Sequence, residues 1–221
     1  PENTNQFAQV NYETFVTQRG QKRTLTLSDG STIRLNYETE FKAPRHFEEG
    51  QRVVYLTGHA HFDVARDTER PFIIYTEDSK TQVLGTSFDI NTKEEGTTEI
   101  IVTSGQVAFS DKDNINEQVM LTVNDRAVLN SIGSIGQSTV DAETLTAWKD
   151  NRLVFDDALL SEIIEVLQPW YDVEITVNNP NQLQKAYNFS FDNPSLELLL
   201  EQMSFMGKFE YQMEGKQVII D

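Results

Sequence analysis

The chain has no cysteine in 221 residues. Disulfides, thiolate metal sites and cysteine nucleophiles are therefore excluded, although this alone does not fix the compartment. No apolar run approaches the ~20 residues that a membrane-spanning helix needs, and no stretch reads as a signal peptide. The chain opens at Pro1 rather than Met, so the expectation is a processed product or a piece of a longer protein with its anchor upstream. Basic residues are scarce: 18 Lys and Arg stand against 35 Asp and Glu, a formal net charge of −17. Such a surface repels phosphate, which disfavours nucleic acid and anionic lipid as partners. Most of the acid excess reads as solubility. Phosphate-cradling glycine loops are missing. So is a nucleophile elbow, because Gly133-Ser134-Ile135-Gly136 has the wrong spacing and no apolar strand before it.

What is present is enough aromatic residue (13 Phe, 7 Tyr and 2 Trp) to fill a core. After a polar lead-in over residues 1–11, the dominant period is two. Arg23-Thr24-Leu25-Thr26-Leu27 alternates, Ser28-Asp29-Gly30-Ser31 supplies turn chemistry, and Thr32-Ile33-Arg34-Leu35 alternates again. Asp29-Gly30 tolerates positive φ, which makes this a hairpin. Further strands are expected at 52–56, 60–64, 72–75, 81–84, 88–91, 99–103, 106–109, 119–121 and 126–129. Glu94-Glu95-Gly96 and Asp111–Asn116 read as loops between them. Many short strands joined by turns predict an all-β domain over 12–130, either a sandwich or an irregular β-solenoid. Gly85 interrupts the apolar run Val83-Leu84-Gly85-Thr86-Ser87-Phe88-Asp89-Ile90. It marks either a close approach by a ligand or a bend that carries the chain from one sheet layer to another. The bend is the stronger reading, with Leu84, Phe88 and Ile90 in the core.

Residues 131–151 read as a linker: a small, flexible Ser131–Thr139 stretch, then a short helix from Ala142 to Lys149 capped through Ser138 and Asp141. Trp148 would anchor the two domains to each other. From residue 152 the period changes. Leu153-Val154-Phe155 reads as a strand, Asp156-Asp157 as a cap, and Leu160, Ile163, Ile164, Leu167 and Trp170 as the apolar face of a helix followed by a strand at Val173–Val177. Thirty-six residues on (155 to 191), Phe191-Asp192 repeats the start, Asn193-Pro194 gives a cap followed by proline at the first helical position, and Leu196, Leu199, Leu200, Met203 and Met206 repeat the helix face. Gly207 ends that helix, and strands follow at 209–212 and 217–220. The expectation for 152–221 is a small α+β domain in which a β-α-β unit is used twice, with two helices covering one sheet.

Candidate chemistry is sparse. His59 and His61 alternate along one strand and so share a face, as metal ligands would, with His46 or an acid as a third; two partly exposed histidines are the simpler reading. Asp111-Lys112-Asp113 opens like a calcium loop, but Asn116 and Thr122 stand where glycine and glutamate are required. Asn188-Phe189-Ser190 matches a glycosylation acceptor but falls on a predicted strand. Tyr37, Tyr55 and Tyr75 could stack on sugars, although strand aromatics more often form cross-strand pairs. No pair of carboxylates stands out for glycosidase chemistry, and no catalytic residue, cofactor or metal is assigned.

Leu27-Ser28-Asp29-Gly30-Ser31 followed by Ile33 and Leu35-Asn36 resembles the hairpin of FecR-type anti-sigma regulators. Arg52–Val64 is similar to the next block of that family. Arg70-Pro71-Phe72 with Val83–Ile90 is similar to its signature, and Trp148, Leu153-Val154-Phe155 and Leu160 resemble the start of the C-terminal domain of Bacteroidetes members. The chain departs from the pattern at Gly58-His59-Ala60-His61-Phe62, where the family usually carries glutamate after the glycine and an aromatic pair. The resemblance implies the periplasmic part of a regulator anchored in the inner membrane. Such a protein binds an extracytoplasmic-function sigma factor through a cytoplasmic segment not in this chain, and it senses the signalling domain of a TonB-dependent outer-membrane transporter. It also implies that the C-terminal repeat resembles the small signalling domain of such transporters and of secretins. An edge strand there could pair with a partner's strand. The expected edge is Val218-Ile219-Ile220, with Glu210, Tyr211, Gln212 and Met213 beside it for side-chain specificity. The alternative is a β-domain of the cell envelope that binds a glycan or a metal directly.

Overall fold

The computed structural model describes residues 11–221 apart from Lys93, Glu95, Ile115 and Asn116. Nearly all of the polar lead-in, and parts of the two loops expected at Glu94–Gly96 and Asp111–Asn116, lie outside the described residues. In chain order the elements are β1 (Tyr12–Thr17), β2 (Arg23–Thr26), β3 (Thr32–Leu35), β4 (Thr39–Pro44), β5 (Arg52–Thr57), β6 (His59–Asp63), β7 (Phe72–Tyr75), β8 (Ser79–Val83), β9 (Ser87–Asn91), β10 (Thr98–Ser104), β11 (Val107–Asp111), β12 (Val119–Leu121), β13 (Asp125–Leu129) and β14 (Ile135–Thr139). Then come α1 (Ala142–Leu145), a 3₁₀ turn (Ala147–Asp150), β15 (Arg152–Leu159), α2 (Leu160–Tyr171), β16 (Glu174–Val177), a second 3₁₀ turn (Pro180–Gln184), β17 (Ala186–Asp192), α3 (Leu196–Gly207), β18 (Tyr211–Glu214) and β19 (Gln217–Ile220).

The first fourteen strands form two seven-stranded sheets, ordered β1-β4-β5-β7-β8-β11-β12 and β14-β13-β10-β9-β6-β3-β2. The period of two explains why they close into a sandwich. Ile33 and Leu35, Ala60 and Phe62, and Phe88 and Ile90 turn inward from the second sheet onto Phe41, Val54, Phe72 and Ile74 of the first. Phe62 sits at the centre, stacked on Phe88 at 5.2 Å between ring centroids and edge-on to Phe41 at 6.1 Å and Phe72 at 6.5 Å. Each such ring, fully buried, contributes roughly 1.5–3 kcal/mol.

The chain crosses between the layers at Gly85, because β8 belongs to the first sheet and β9 to the second. Gly85 has φ +154°, and a Cβ there would lie 2.7 Å from Arg66 Cα. What approaches this glycine closely is the protein's own backbone, as the bend reading requires. Phe88 and Ile90 are buried as expected, but Leu84 is 42% exposed, because the crossing turns it out of the core. The linker expectation also changes. Ile135–Thr139 is not a free linker but the strand β14, antiparallel to β13 from Leu129↔Ile135 to Asp125↔Thr139. It is an edge strand whose last four residues are exposed, so it carries little apolar pattern. Ser138 lies in that strand, and α1 is capped by Asp141 alone, which accepts from Thr144 N at 3.3 Å and Thr144 Oγ1 at 2.7 Å.

Past residue 150 a second hydrophobic core forms that shares no residue with the first. Leu160, Ile163, Ile164 and Leu167 of α2 meet Leu196, Leu199, Leu200 and Met203 of α3 in it. Trp170 is half-buried and Met206 is 45% exposed, so the fifth position of each expected helix face is not fully core. The caps differ from expectation as well. Asp156 and Asp157 lie inside β15, and α2 begins where the Glu162 carboxylate accepts from Leu159 N at 2.8 Å. The cap of α3 is Ser195, one residue past Pro194. In place of one sheet there are two, β15-β17 and β16-β19-β18. β15 pairs with β17 across a register shift between Phe155 and Ala158, which leaves β16 to pair in parallel with β19.

Three residues of the β1–β2 turn tie the two cores together. Gly20 N donates to Pro169 O at 2.8 Å, and Arg19 Nη2 donates to Val173 O at 2.9 Å. Lys22 Nζ sits 3.0 Å from the centre of the Trp170 ring and donates to Asn151 Oδ1 at 3.1 Å.

Candidate functional site

The expected edge residues fall on two strands with different roles. β19 is the middle strand of its sheet, parallel to β16 and antiparallel to β18. Val218 and Ile220 are each 1% exposed and belong to the core, so the expectation that Val218-Ile219-Ile220 is an edge is corrected. Strand pairing between segments some 40 residues apart placed β19 inside. Ile219 points the other way and is 38% exposed. The edges are β16 and β18, and neither has a further strand beside it among the described residues; β18 is the edge that carries the expected residues. Asp221 N donates to Glu210 O at 3.0 Å, one step beyond the first pair of the β18–β19 ladder, Tyr211↔Ile220. Antiparallel ladders alternate, so Gln212 and Glu214 also spend their backbone groups on β19. Tyr211 and Met213 turn theirs outward. Glu210, Gln212 and Met213 are exposed and Tyr211 is half-buried. This edge therefore offers outward N–H and C=O groups at alternate residues, with Gln212 and Ile219 opposite each other on the solvent face.

One apolar feature nearby was missed by the sequence reading. Phe205 on α3 is 83% exposed, and Leu198 and Met206 on the same helix are 42% and 45% exposed. Its signal was available, because Phe205 falls outside the spacing of the buried α3 residues.

The two strand histidines do share a face, and it is the outer face of the second sheet. They converge on Asp89 rather than on open space. Asn36 Nδ2 donates to His59 Nδ1 at 3.0 Å, which leaves the Nε2 hydrogen of His59 for Asp89 Oδ2. The Asn36 amide is held in that orientation because its Oδ1 accepts from Tyr37 N at 2.9 Å. His61 Nδ1 lies 3.3 Å from Asp89 Oδ1 and its Nε2 lies 3.7 Å from Asp63 Oδ1. Arg34 closes the row by donating to Asp63 Oδ2. The lid is Trp148, whose ring packs 4.4 Å from that of His59 and whose Nε1 donates to Asp89 Oδ2 at 3.2 Å. His61 and Asp89 are 1% and 4% exposed. Burial works against charge on His61, but the carboxylates of Asp63 and Asp89 outweigh it and raise the imidazole's pKa above its ordinary value. Burial likewise works against the Asp89 carboxylate, and His59 and His61 outweigh it and lower its pKa. The neighbouring His61 imidazole is the main cause of a lowered pKa at Asp63. His46 is exposed in the loop after β4 and takes no part. Among the described residues no group of three or more His, Asp or Glu is arranged to hold a metal ion.

The tyrosines form cross-strand pairs on the outer face of the first sheet. Tyr55 stacks on Tyr75 at 5.9 Å and meets Tyr12 edge-on at 5.3 Å. With Phe47, Glu48 and Gln51 they line a cleft of about 450 Å³. Tyr37 is elsewhere, beside His59 and Trp148. Asn188 accepts from Asp157 N at 2.8 Å within the β15–β17 pair, which gives it a structural role. Asp111 Oδ1 accepts from Asp113 N at 2.7 Å, as an ordinary turn would.

Two family profiles match the chain: FecR protein over residues 13–108 and FecR, C-terminal over residues 152–220. The chain belongs to the FecR family. A solved relative agrees along nearly the whole length. Two crystal structures of a protein from Parabacteroides distasonis, described as a candidate anti-sigma factor, superpose with a TM-score of 0.77 at 28% identity. The match covers 95% of this chain and 98% of that one. No curated protein matches the chain. FecR proteins are regulators rather than a known class of enzyme, and this chain carries the fold of an anti-sigma signalling protein. No helix among the described residues is long and apolar enough to cross a membrane.

Proposed function

We propose that this FecR chain is the periplasmic, signal-receiving part of an anti-sigma regulator. It relays the state of a TonB-dependent outer-membrane transporter to an extracytoplasmic-function sigma factor, which an upstream cytoplasmic segment would bind. The chain divides, on this reading, into a β-domain over 12–139, a connecting stretch over 140–151 and a receiver over 152–221. The observation that carries the proposal is the β18 edge, which leaves outward backbone groups at Tyr211 and Met213 for a partner strand. The partner would be the signalling domain of the transporter. The sandwich would then act as a rigid spacer between the receiver and an anchor in the inner membrane. The test is capture of the purified signalling domain of the neighbouring transporter by this chain. Retention at micromolar concentration is expected, and no retention at any tested concentration contradicts the reading.

A second reading rests on the Tyr12–Tyr55–Tyr75 row, which would suit a saccharide ring stacked in the cleft of the first sheet. Calorimetric titration with envelope glycans separates the two. Heat that disappears in Tyr55→Ala supports direct sensing, and its absence favours the relay.

A further inference from the structure

His61 is a buried imidazole with a carboxylate at each ring nitrogen, Asp89 at Nδ1 and Asp63 at Nε2. Only the doubly protonated ring can turn an N–H toward each, hydrogen-bonding Asp89 and ion-pairing with Asp63. With His61 charged, the row Arg34–Asp63–His61–Asp89 alternates in sign and sums to zero. Without that proton, Asp89 keeps its charge at 4% exposure beside a neutral His61, and a lone pair of the ring faces a carboxylate. A buried carboxylate that loses its ionic partner is left with only the hydrogens of His59 and Trp148, and that loss is expensive. The residue that seals Asp89 from water is Trp148, and it stands on the 3₁₀ turn that leads directly into β15. The cost of losing the proton therefore falls on the contact between the sandwich and the segment leading to the C-terminal core.

We propose that Asp89, His61, His59 and Trp148 form a proton-dependent latch, which holds residues 142–150 on the second sheet while His61 carries both ring protons and releases them when it loses one. The latch would regulate the relay, but it is defined by its own groups, and its test needs neither transporter nor sigma factor. The groups facing it from each packed element are Arg34 on β3, His59, His61 and Asp63 on β6, Asp89 on β9 and Trp148 on the 3₁₀ turn. The other charges nearby are matched with each other, Glu99 with Arg126, Lys149 with Asp150, and Arg152 of β15 with Asp192. The sign follows from the two key groups. The raised His61 pKa gives a contribution that is complete below the ordinary histidine value of about 6.5 and is lost as pH rises through the raised value. The lowered Asp89 pKa gives one that is complete above about 3.8 and is lost as pH falls through the lowered value. The latch is thus closed between these limits and opens on the alkaline side. Lys22 has the opposite sign. Burial pushes its pKa down to about 7, so its cost of burial is relieved as the pH rises.

The test is NMR of the whole chain between pH 5 and 9. It follows the His61 ring, the Trp148 indole N–H (assigned with Trp148→Phe) and the hydrogen-exchange protection of residues 142–150, corrected for intrinsic rates. The expected result is a shared midpoint above 6.5 for His61 and Trp148, with protection falling at least tenfold across it. His61→Gln should flatten the protection profile, while His46→Gln and Lys22→Gln should leave the fall in place. A His61 midpoint at or below 6.5, or protection that stays constant across it in the wild-type chain, overturns the proposal even if His61→Gln does not fold. A fall that persists undiminished in folded His61→Gln overturns it as well.

Discussion

Asp29 illustrates how much one residue can carry beyond its local pattern. Its place before Gly30 marks a hairpin turn, and it does serve the turn, accepting from Ser31 N at 3.0 Å and Ser31 Oγ at 2.7 Å. It also holds Arg52, whose Nη1 donates to Asp29 Oδ2 at 2.7 Å with both side chains almost fully buried. Arg52 further donates to the carbonyls of Arg70 and Ala65. Removing one partner of a buried pair strands the other. Asp29→Ala should therefore destabilise the fold by about 3–5 kcal/mol. Arg126→Ala, from a half-exposed pair with Glu99, should cost less than about 1 kcal/mol. Urea denaturation measures both, and equal effects would contradict the assignment. At Gly85, a valine would drive its Cβ into the Arg66 backbone. Gly85→Val is expected to lower the melting temperature of the sandwich sharply, and an unchanged melting temperature would refute the bend. The turn at Asp29-Gly30 and the break at Gly85 were legible because they are local. The buried partner of Asp29 and the Asp89 between two histidines were not, because strand neighbours distant in sequence supply them.

At the scale of elements, sequence periodicity located most strands and both long helices, and it missed wherever pairing rather than pattern decides. β14 has almost no apolar pattern, since one face is open to water and β13 provides its ladder. The sequence Val218-Ile219-Ile220 is apolar enough for an edge or a centre, and only the parallel partner β16 makes it a centre. Truncation after Lys216 would consequently remove a core strand and would not probe an edge. Substitution with proline probes it cleanly. Met213→Pro removes an N–H that faces outward, and edge strands tolerate this; the expected loss of stability is about 1 kcal/mol or less. Gln212→Pro removes a ladder bond to β19 and should cost about 3 kcal/mol or more. Guanidinium unfolding of the two variants decides whether the alternation is as described. In the helices, Leu199→Ala opens a fully buried site in the second core, with an expected cost of about 2–5 kcal/mol.

For the whole molecule, the central claim is that the C-terminal core receives a partner strand along β18 and that the sandwich holds it in position. The anti-sigma family was legible from motifs spread over both parts, while the strand order was not: Val218-Ile219-Ile220 reads as an edge and stands in the middle of its sheet, between β16 and β18. The most direct measurement is the calorimetric affinity of the whole chain for the transporter's signalling domain, wild type against Met213→Pro, with both shown folded by their melting curves. The account predicts at least a tenfold loss of affinity in Met213→Pro at nearly unchanged stability. Equal affinities in two folded proteins would contradict pairing along β18.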